Sequence, residues 1–312
     1  MDREVTLVWA LDYAQRLAGE HPGILAVILG GSLARSDQLP SSDLDLLYFS
    51  EAPLPLRPHN DAGLFVDIDH QPAAYLADPQ ALRQPFFCGY LADALVLVDP
   101  SGVAARCHVA AKDALLCGRF RDDHLAVFRA ALAHSTADFT RAMSAGDDLA
   151  FCPALSDTLN AVIDLHLVHR GISPGGSRAL ARLRAVEPAT SARIAALETA
   201  EESVAVGDWA VVSELVAALS TASAFFTSLG ARALWLTDHG YSIDGRHALW
   251  CALGAYITHV CPGLDAARRQ RFSQALARWL AQVGWGSDVR QWKVADVLRL
   301  TQAETSSTGT AG

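Results

Sequence analysis

Runs of residues that favour β-strands are confined to the first hundred positions of this chain. They cover 24–29, 44–49, 64–68 and 94–98, and glycine or proline residues separate them. An N-terminal stretch and the text after residue 101 instead repeat apolar residues at helical spacing. The helices predicted in this second part cover 102–117, 121–144, 153–170, 177–185, 189–203, 208–237, 246–258, 265–283 and 288–302.

This distribution predicts an α+β protein with two domains. A small β-sheet domain with flanking helices is expected over 1–120, and an all-α helical domain over 121–303. The remaining residues, 304–312, are small and polar, so we expect a disordered tail there.

Composition limits the kinds of partner. The chain has 312 residues and is 51% hydrophobic, which is enough for two domains to bury a core each. A formal net charge of −9 repels a polyphosphate backbone and disfavours nucleic acid. No run approaches the roughly 20 apolar residues of a membrane span, and the six cysteines form no CxxC pair. We expect a cytoplasmic protein without a membrane partner, and the oligomeric state stays open.

Two aspartates interrupt the second strand-like run. Side chains alternate along a strand, so Asp43 and Asp45 point to the same face. Two such carboxylates repel each other unless a cation lies between them, and Mg²⁺ is held by one or two carboxylates plus substrate phosphates. Asp67 and Asp69 repeat the pattern in the third run. Three carboxylates brought to one point would fit two cations about 4 Å apart, whereas solvated acids at an exposed strand end are the structural alternative.

A glycine turn precedes this acidic strand. Gly30, Gly31 and Ser32 follow directly on the first apolar run. Glycine lets backbone N–H groups approach a ligand, and a following helical turn points its N–H groups at an anion. Ser32 adds a hydroxyl donor. The turn is therefore a candidate phosphate site, with an ordinary strand-to-helix turn as the alternative.

Together, these motifs resemble the DNA polymerase β-type nucleotidyltransferase superfamily. Its three signatures are matched by GGS at 30–32, DLDL at 43–46 and VDI at 66–68. The segment GSLAR at 31–35 resembles the small-molecule branch, which includes aminoglycoside nucleotidyltransferases, although Ser36 stands where a glycine often follows the arginine. The resemblance covers about residues 20–100 and implies a nucleotidyltransferase-fold mixed β-sheet.

The resemblance also implies roles for the acids and the turn. The nucleotide triphosphate would lie on the turn at 30–32, and Asp43 and Asp45 would hold magnesium, with two ions expected. Asp67 would hold the second ion or act as general base on the acceptor hydroxyl. Asp69 is the alternative third acid, but Asp67 has apolar residues on both sides, as the family motif requires.

Three arginines are further candidates for the nucleotide. Arg35 follows the phosphate turn and would touch a phosphate or the base; an ion pair with Asp37 is the alternative. Arg170 and Arg178 flank a glycine-rich segment. In related two-domain enzymes the helical domain supplies a cation for the triphosphate, which is the role considered for either of them; solvated helix ends are the alternative.

The implied reaction moves a nucleoside monophosphate, AMP by preference, from a nucleoside triphosphate to a hydroxyl group, with release of pyrophosphate. An aminoglycoside-like or other small-molecule acceptor is the favoured hypothesis. The alternatives are a protein or tRNA acceptor, as in toxin systems, and an inactive nucleotide-binding module. The sequence leaves open the acceptor, the base, the regiochemistry and the choice between a resistance, biosynthetic or regulatory role.

Overall fold

The computed structural model describes residues 3–39, 42–61, 63–176, 178–198, 209–239, 242–285 and 290–306. Its described strands are β1 (Ile24–Leu29), β2 (Leu44–Ser50), β3 (His59–Asp61), β4 (Leu64–Pro72) and β5 (Leu95–Val98). The helices around them are α1 (Arg3–Glu20), α2 (Gly31–Arg35), α3 (Ala74–Ala77), α4 (Pro85–Asp93) and α5 (Val103–Cys117), with a 3₁₀ turn at Pro79–Arg83.

The strands form one mixed sheet in the order β3-β4-β2-β1-β5. β2 and β4 run parallel, while the other neighbouring strands are antiparallel. Alternation along β2 sends Leu44 and Leu46 into the core beneath α1, and Leu47 and Phe49 into the core that α4 and α5 complete. Both faces of the sheet are therefore covered, which explains why its central strands are almost continuously apolar.

The rest of the described chain is helical. Its helices are α6 (Arg121–Ala145), α7 (Asp148–His169), α8 (Ala179–Val186), α9 (Pro188–Glu198), α10 (Trp209–Ser220), α11 (Ala224–Asp238), α12 (Ser242–His259), α13 (Ala266–Leu280) and α14 (Arg290–Ser306). A 3₁₀ turn at Cys261–Gly263 and a π-helical turn at Ala281–Trp285 connect the last three. Large aromatic side chains fill their core: Phe139, Phe151, Trp250, Trp279 and Trp285.

The α+β architecture predicted from the sequence is confirmed, with two local differences. The sequence patterns did not predict β3, because His-Asn-Asp carries no strand-like pattern. The single helix predicted over 208–237 is wrong: residues 221–223 separate α10 from α11. Ser223 is extended, and its hydroxyl accepts the N–H of Phe226, so it begins a new helix.

Two predicted segments fall partly outside the described residues. The structure describes α9 as far as Glu198, so the predicted helical residues 199–203 lie outside it. In the predicted tail over 304–312, the first three residues continue α14, and 307–312 lie outside the described part.

The chain divides into two compact units. The first comprises Met1–Ala126 and Leu167–Arg178, and the second comprises Val127–His166 and Ala179–Gly312. The sheet unit thus extends beyond residue 120 and takes in a second segment from the helical half of the sequence. No helix in the described ranges combines the length and the apolar character that crossing a bilayer requires.

Candidate active site

The aspartates of the two acidic motifs lie on neighbouring strands. β2 and β4 are parallel, and their register pairs Asp45 with Asp67 and Leu47 with Asp69. Asp43 directly precedes β2. Asp67 therefore lies beside Asp45, whereas Asp69 lies further along β4 and is exposed.

Asp67 is a carboxyl group whose ionisation is opposed by its surroundings. Its side chain is half-buried, and burial raises its pKa. The charges of Asp69 and Asp43 raise the pKa of Asp67 further. Asp69 and Asp43 are consequently close enough to oppose the ionisation of Asp67, and a cation at this point would relieve that repulsion.

The turn after β1 is held against the backbone of Asp45. The N–H of Gly30 donates to the carbonyl oxygen of Asp45 at 2.9 Å, and the hydroxyl of Tyr90 donates to the same oxygen at 2.7 Å. The Tyr90 ring also covers Gly30, because a Cβ atom there would lie 2.1 Å from the ring. Burial and the charge of Asp45 raise the pKa of Tyr90 well above its usual value, so the hydroxyl stays protonated as a donor.

Sequence reasoning missed Tyr90. It lies in α4 within the run PFFCGYLAD, where it has the same apolar neighbours as an ordinary core aromatic. No feature of the sequence around Tyr90 distinguishes it, because its role in holding the turn in place depends on the contact between α4 and the end of β1.

Gly31 lies against the carboxylate of Asp45. It adopts a left-handed conformation with φ +65°, and a Cβ atom added to it would lie 1.6 Å from Oδ2 of Asp45. The next residue, Ser32, is buried at the start of α2. Only glycine satisfies both the backbone conformation and the close approach at position 31. The sequence-predicted phosphate turn and the acidic pair are thus in direct contact.

The structure shows the conformational cost of Ser36, which stands where the family motif often has glycine. This residue ends α2 in the left-handed conformation, with φ 65° and ψ 25°, where glycine carries no penalty from a side chain.

We expect Ser36→Gly to stabilise the protein by roughly 0.5–1 kcal/mol, the left-handed cost of a non-glycine residue minus the entropy that glycine loses on folding. Denaturant unfolding of both proteins measures this, and Ser36→Ala, which keeps the strain, should give no such gain.

Arg35 is engaged by two carboxylates. Its Nε lies 3.5 Å from Asp37, and its Nη1 lies 3.8 Å from Asp93. Only 16% of its side chain is exposed. The ion pair considered as the structural alternative is therefore present, and contact between Arg35 and a nucleotide remains a prediction.

Arg170 and Arg178 belong to the segment of the helical half that joins the first unit. The hydroxyl of Ser173 donates to the carbonyl of Gly89 at 3.2 Å, and Pro174 covers the same glycine. The segment 167–178 therefore packs on α4, the helix that carries Tyr90. Arg170 is exposed and Arg178 half-buried, and their role in nucleotide binding remains a prediction.

The residues of this site fit a divalent cation that takes only part of its ligands from the protein. Among the described residues, no three carboxylate, imidazole or thiol groups are gathered into a ready metal cage. Mg²⁺ does not require one, because it commonly takes one or two carboxylates and completes its shell with water and substrate phosphates. The adjacent oxygen donors of Asp45 and Asp67, with Asp43 close enough to affect Asp67, are suitable for such partial ligation.

Of three comparisons with known proteins, one, with a family model, matches the part of the chain that contains this site. One similar solved structure is that of a nucleotidyltransferase-like protein from Exiguobacterium sibiricum 255-15; it is 11% identical, covers 88% of this chain and 92% of its own, and gives a TM-score of 0.38. No curated protein matches the sequence. Residues 12–76, which contain the glycine turn and all four aspartates, match the family model of the nucleotidyltransferase domain.

Proposed function

We propose that this protein transfers a nucleoside monophosphate, AMP by preference, from a nucleoside triphosphate to a hydroxyl group of a small molecule such as an aminoglycoside-like compound. The observation that carries the proposal is the contact between the two motifs: Gly31 lies against Asp45, which is paired with Asp67 on the parallel strand. A phosphate-binding turn beside a cluster of carboxylates is the arrangement that nucleotidyl transfer requires.

In the proposed reaction, the acceptor oxygen attacks the α-phosphorus of the nucleotide and pyrophosphate leaves. The backbone N–H groups of Gly31 and Ser32 and the hydroxyl of Ser32 bind the triphosphate, while the N–H of Gly30 stays bonded to the carbonyl oxygen of Asp45. Asp43, Asp45 and Asp67 would hold two magnesium ions, which when bound neutralise phosphate charge and lower the pKa of the attacking hydroxyl. Asp67 is the third ligand or the acceptor of the hydroxyl proton, and its raised pKa suits the second role.

The surroundings of Asp45 keep this arrangement rigid before substrate arrives. Its backbone carbonyl accepts hydrogen bonds from both Gly30 and Tyr90. Its side chain lies against Gly31, and Asp67 lies beside it on the neighbouring strand. Positioning of this kind supplies much of the rate in phosphoryl chemistry, because little covalent work is left to the protein. The net charge of −9 favours a small cationic acceptor over nucleic acid.

Titration calorimetry of the full chain with ATP, GTP, CTP and UTP in the presence of magnesium tests the nucleotide site without knowledge of the acceptor. We expect the wild-type protein to bind ATP most tightly and the double variant Asp43→Asn/Asp45→Asn to lose magnesium-dependent binding. The loss should be at least about 30-fold, since a charged partner contributes about 2 kcal/mol or more. A folded wild-type protein that binds none of the four would contradict the proposal.

Transfer of label from α-labelled ATP then distinguishes the acceptor classes. Modification of an aminoglycoside or another small alcohol, lost in Asp45→Asn, supports the small-molecule acceptor. Label that appears only on protein or RNA of a lysate, and is lost in the same variant, assigns a macromolecular acceptor instead.

A further inference from the structure

A second cluster of reactive side chains lies within the helical unit, outside the sequence motifs. His247 and Cys251 are one turn apart on α12, and Glu198 ends α9. Nδ1 of His247 lies 2.5 Å from Oε1 of Glu198, while Nε2 lies 3.8 Å from Sγ of Cys251. From α7, Nδ2 of Asn160 lies 3.5 Å from the same sulfur. A thiol, an imidazole and a carboxylate are thereby connected in series.

Burial divides this cluster into a shielded part and an accessible part. Glu198 is 0% exposed and His247 is 4% exposed. Cys251 retains intermediate exposure, whereas the other cysteines are either buried or, in the case of Cys117, fully on the surface. Part of the surface of residue Cys251 therefore remains accessible, while Glu198 and His247 are shielded from water.

The charges in the cluster favour ionisation of the thiol. Burial by itself raises the pKa of Cys251, but the charge of His247 and hydrogen bonds from His247 and Asn160 outweigh burial, so the pKa is lowered. Burial lowers the pKa of His247, but Cys251 and Glu198 raise it well above the usual value. Burial raises the pKa of Cys152 on α7 well above its usual value, and the charge of Cys251 raises it further.

We propose that Cys251 is a nucleophilic thiol and a site of covalent modification by small electrophiles, including peroxides. His247 donates the proton that the leaving group takes, and Glu198 positions His247 by binding Nδ1. The series of nucleophile, base and orienting carboxylate is the arrangement that activates a thiol. Because these residues lie outside the nucleotidyltransferase match at 12–76, the inference does not depend on the proposed transfer reaction.

The reaction with hydrogen peroxide illustrates the chemistry. The sulfur of the thiolate attacks one peroxide oxygen, and an S–O bond forms as the O–O bond breaks. The departing hydroxide takes the proton from His247 and leaves as water. Cys251 is oxidised by two electrons to a sulfenic acid, and the peroxide is reduced.

Alkylation of the native full chain with iodoacetamide at pH 6 tests the proposal, with Cys117 as the internal control. At this pH only about 0.3% of an ordinary thiol is ionised. Because the pKa of Cys251 is lowered, a larger fraction of this thiol is ionised at pH 6, and this gain outweighs the weaker intrinsic nucleophilicity of a thiolate of lower pKa. Peptide mapping by mass spectrometry should therefore show Cys251 reacting several-fold faster than the more exposed Cys117.

Two variants test whether Cys251 reacts quickly because His247 and Glu198 activate it or only because it is exposed. His247→Gln should reduce the alkylation rate of Cys251 at pH 6 to that of Cys117 or below. Glu198→Gln keeps an acceptor for His247 without the charge, so we expect an intermediate rate. Cys117 should react at the wild-type rate in both, which controls for the reagent, and an unchanged thermal midpoint reports an intact fold. In wild type, a sulfenic-acid trap after dilute peroxide should label Cys251 and not Cys117.

The wild-type comparison alone decides the matter even if a variant fails to fold. If Cys251 reacts no faster than Cys117 at pH 6 in the native protein, the thiol is not activated and the proposal is overturned. The same conclusion follows if His247→Gln retains the full rate of Cys251 while the rate of Cys117 is unchanged.

Discussion

Asp67→Asn is expected to stabilise the ligand-free protein while removing its binding of magnesium and nucleotide. The carboxylate of Asp67 is half-buried, and its ionisation is opposed first by burial and then by the charges of Asp69 and Asp43. A neutral amide of nearly the same shape avoids both costs. The thermal midpoint of the variant, measured without magnesium, should therefore exceed that of the wild type.

The direction of the pKa shift of Asp67 determines how the stability effect of Asp67→Asn depends on pH. Because the folded-state pKa of Asp67 is raised, its contribution to stability is fully present below the unfolded value of about 3.9 and is lost as the pH rises through the folded value. At neutral pH the ionised carboxylate consequently destabilises the fold. The stability advantage of Asp67→Asn should be largest near pH 7 and should shrink as the pH falls towards 4.

Bound magnesium and ATP should make the wild-type protein more stable than Asp67→Asn. Loss of a charged ligand costs about 2 kcal/mol or more, which is about 30-fold in affinity for magnesium-nucleotide. Binding stabilises only the protein that binds, so saturating magnesium and ATP should raise the wild-type midpoint and leave that of the variant unchanged. Thermal unfolding with and without ligand measures both effects.

Asp69→Asn is the matched control for the choice of the third acid. Asp69 lies two residues further along β4, opposite Leu47 rather than Asp45, and it is exposed. We expect its variant to retain binding and to gain less stability. Loss of binding in Asp69→Asn with retention in Asp67→Asn would exchange the roles of the two acids.

The parts of the site that depend on local spacing were predictable from the sequence. The separation of Asp43 from Asp45 and the glycine turn after an apolar run require only the periodicity of a strand and the preferences of glycine. The register that pairs Asp45 with Asp67 is not local, because it depends on how far apart β2 and β4 begin. A neighbouring strand could be expected from the sequence, but the partner of Asp45 on it could not.

Contacts between separate helices and strands could not be predicted from the sequence, because they are not local either. Tyr90 braces the turn through the packing of α4 against Gly30, and no pattern within α4 records that contact. Similarly, the spacing of His247 and Cys251 suggests a shared helix face, but the carboxylate of Glu198 comes from a different helix. The break before Ser223 contains neither glycine nor proline, so helical periodicity continues through it in the sequence.

Gly31→Ala is expected to remove nucleotide binding as completely as the double variant Asp43→Asn/Asp45→Asn does. The added methyl group would lie 1.6 Å from Oδ2 and 2.5 Å from Cγ of Asp45, so the carboxylate must rotate away or the turn must open. Either movement separates the phosphate turn from the acids. We expect affinity for magnesium-ATP to fall by about 30-fold or more, as measured by calorimetry.

Gly146→Ala isolates the backbone part of this effect. Gly146 has φ +64°, nearly the same as the +65° of Gly31, but a Cβ atom there meets nothing within 4 Å. Both substitutions should cost about 1–2 kcal/mol through left-handed strain, and only Gly31→Ala should also lose binding. Equal binding by the two variants would mean that the close approach of Gly31 to Asp45 is not required for nucleotide binding. This contact would then no longer support the proposed function.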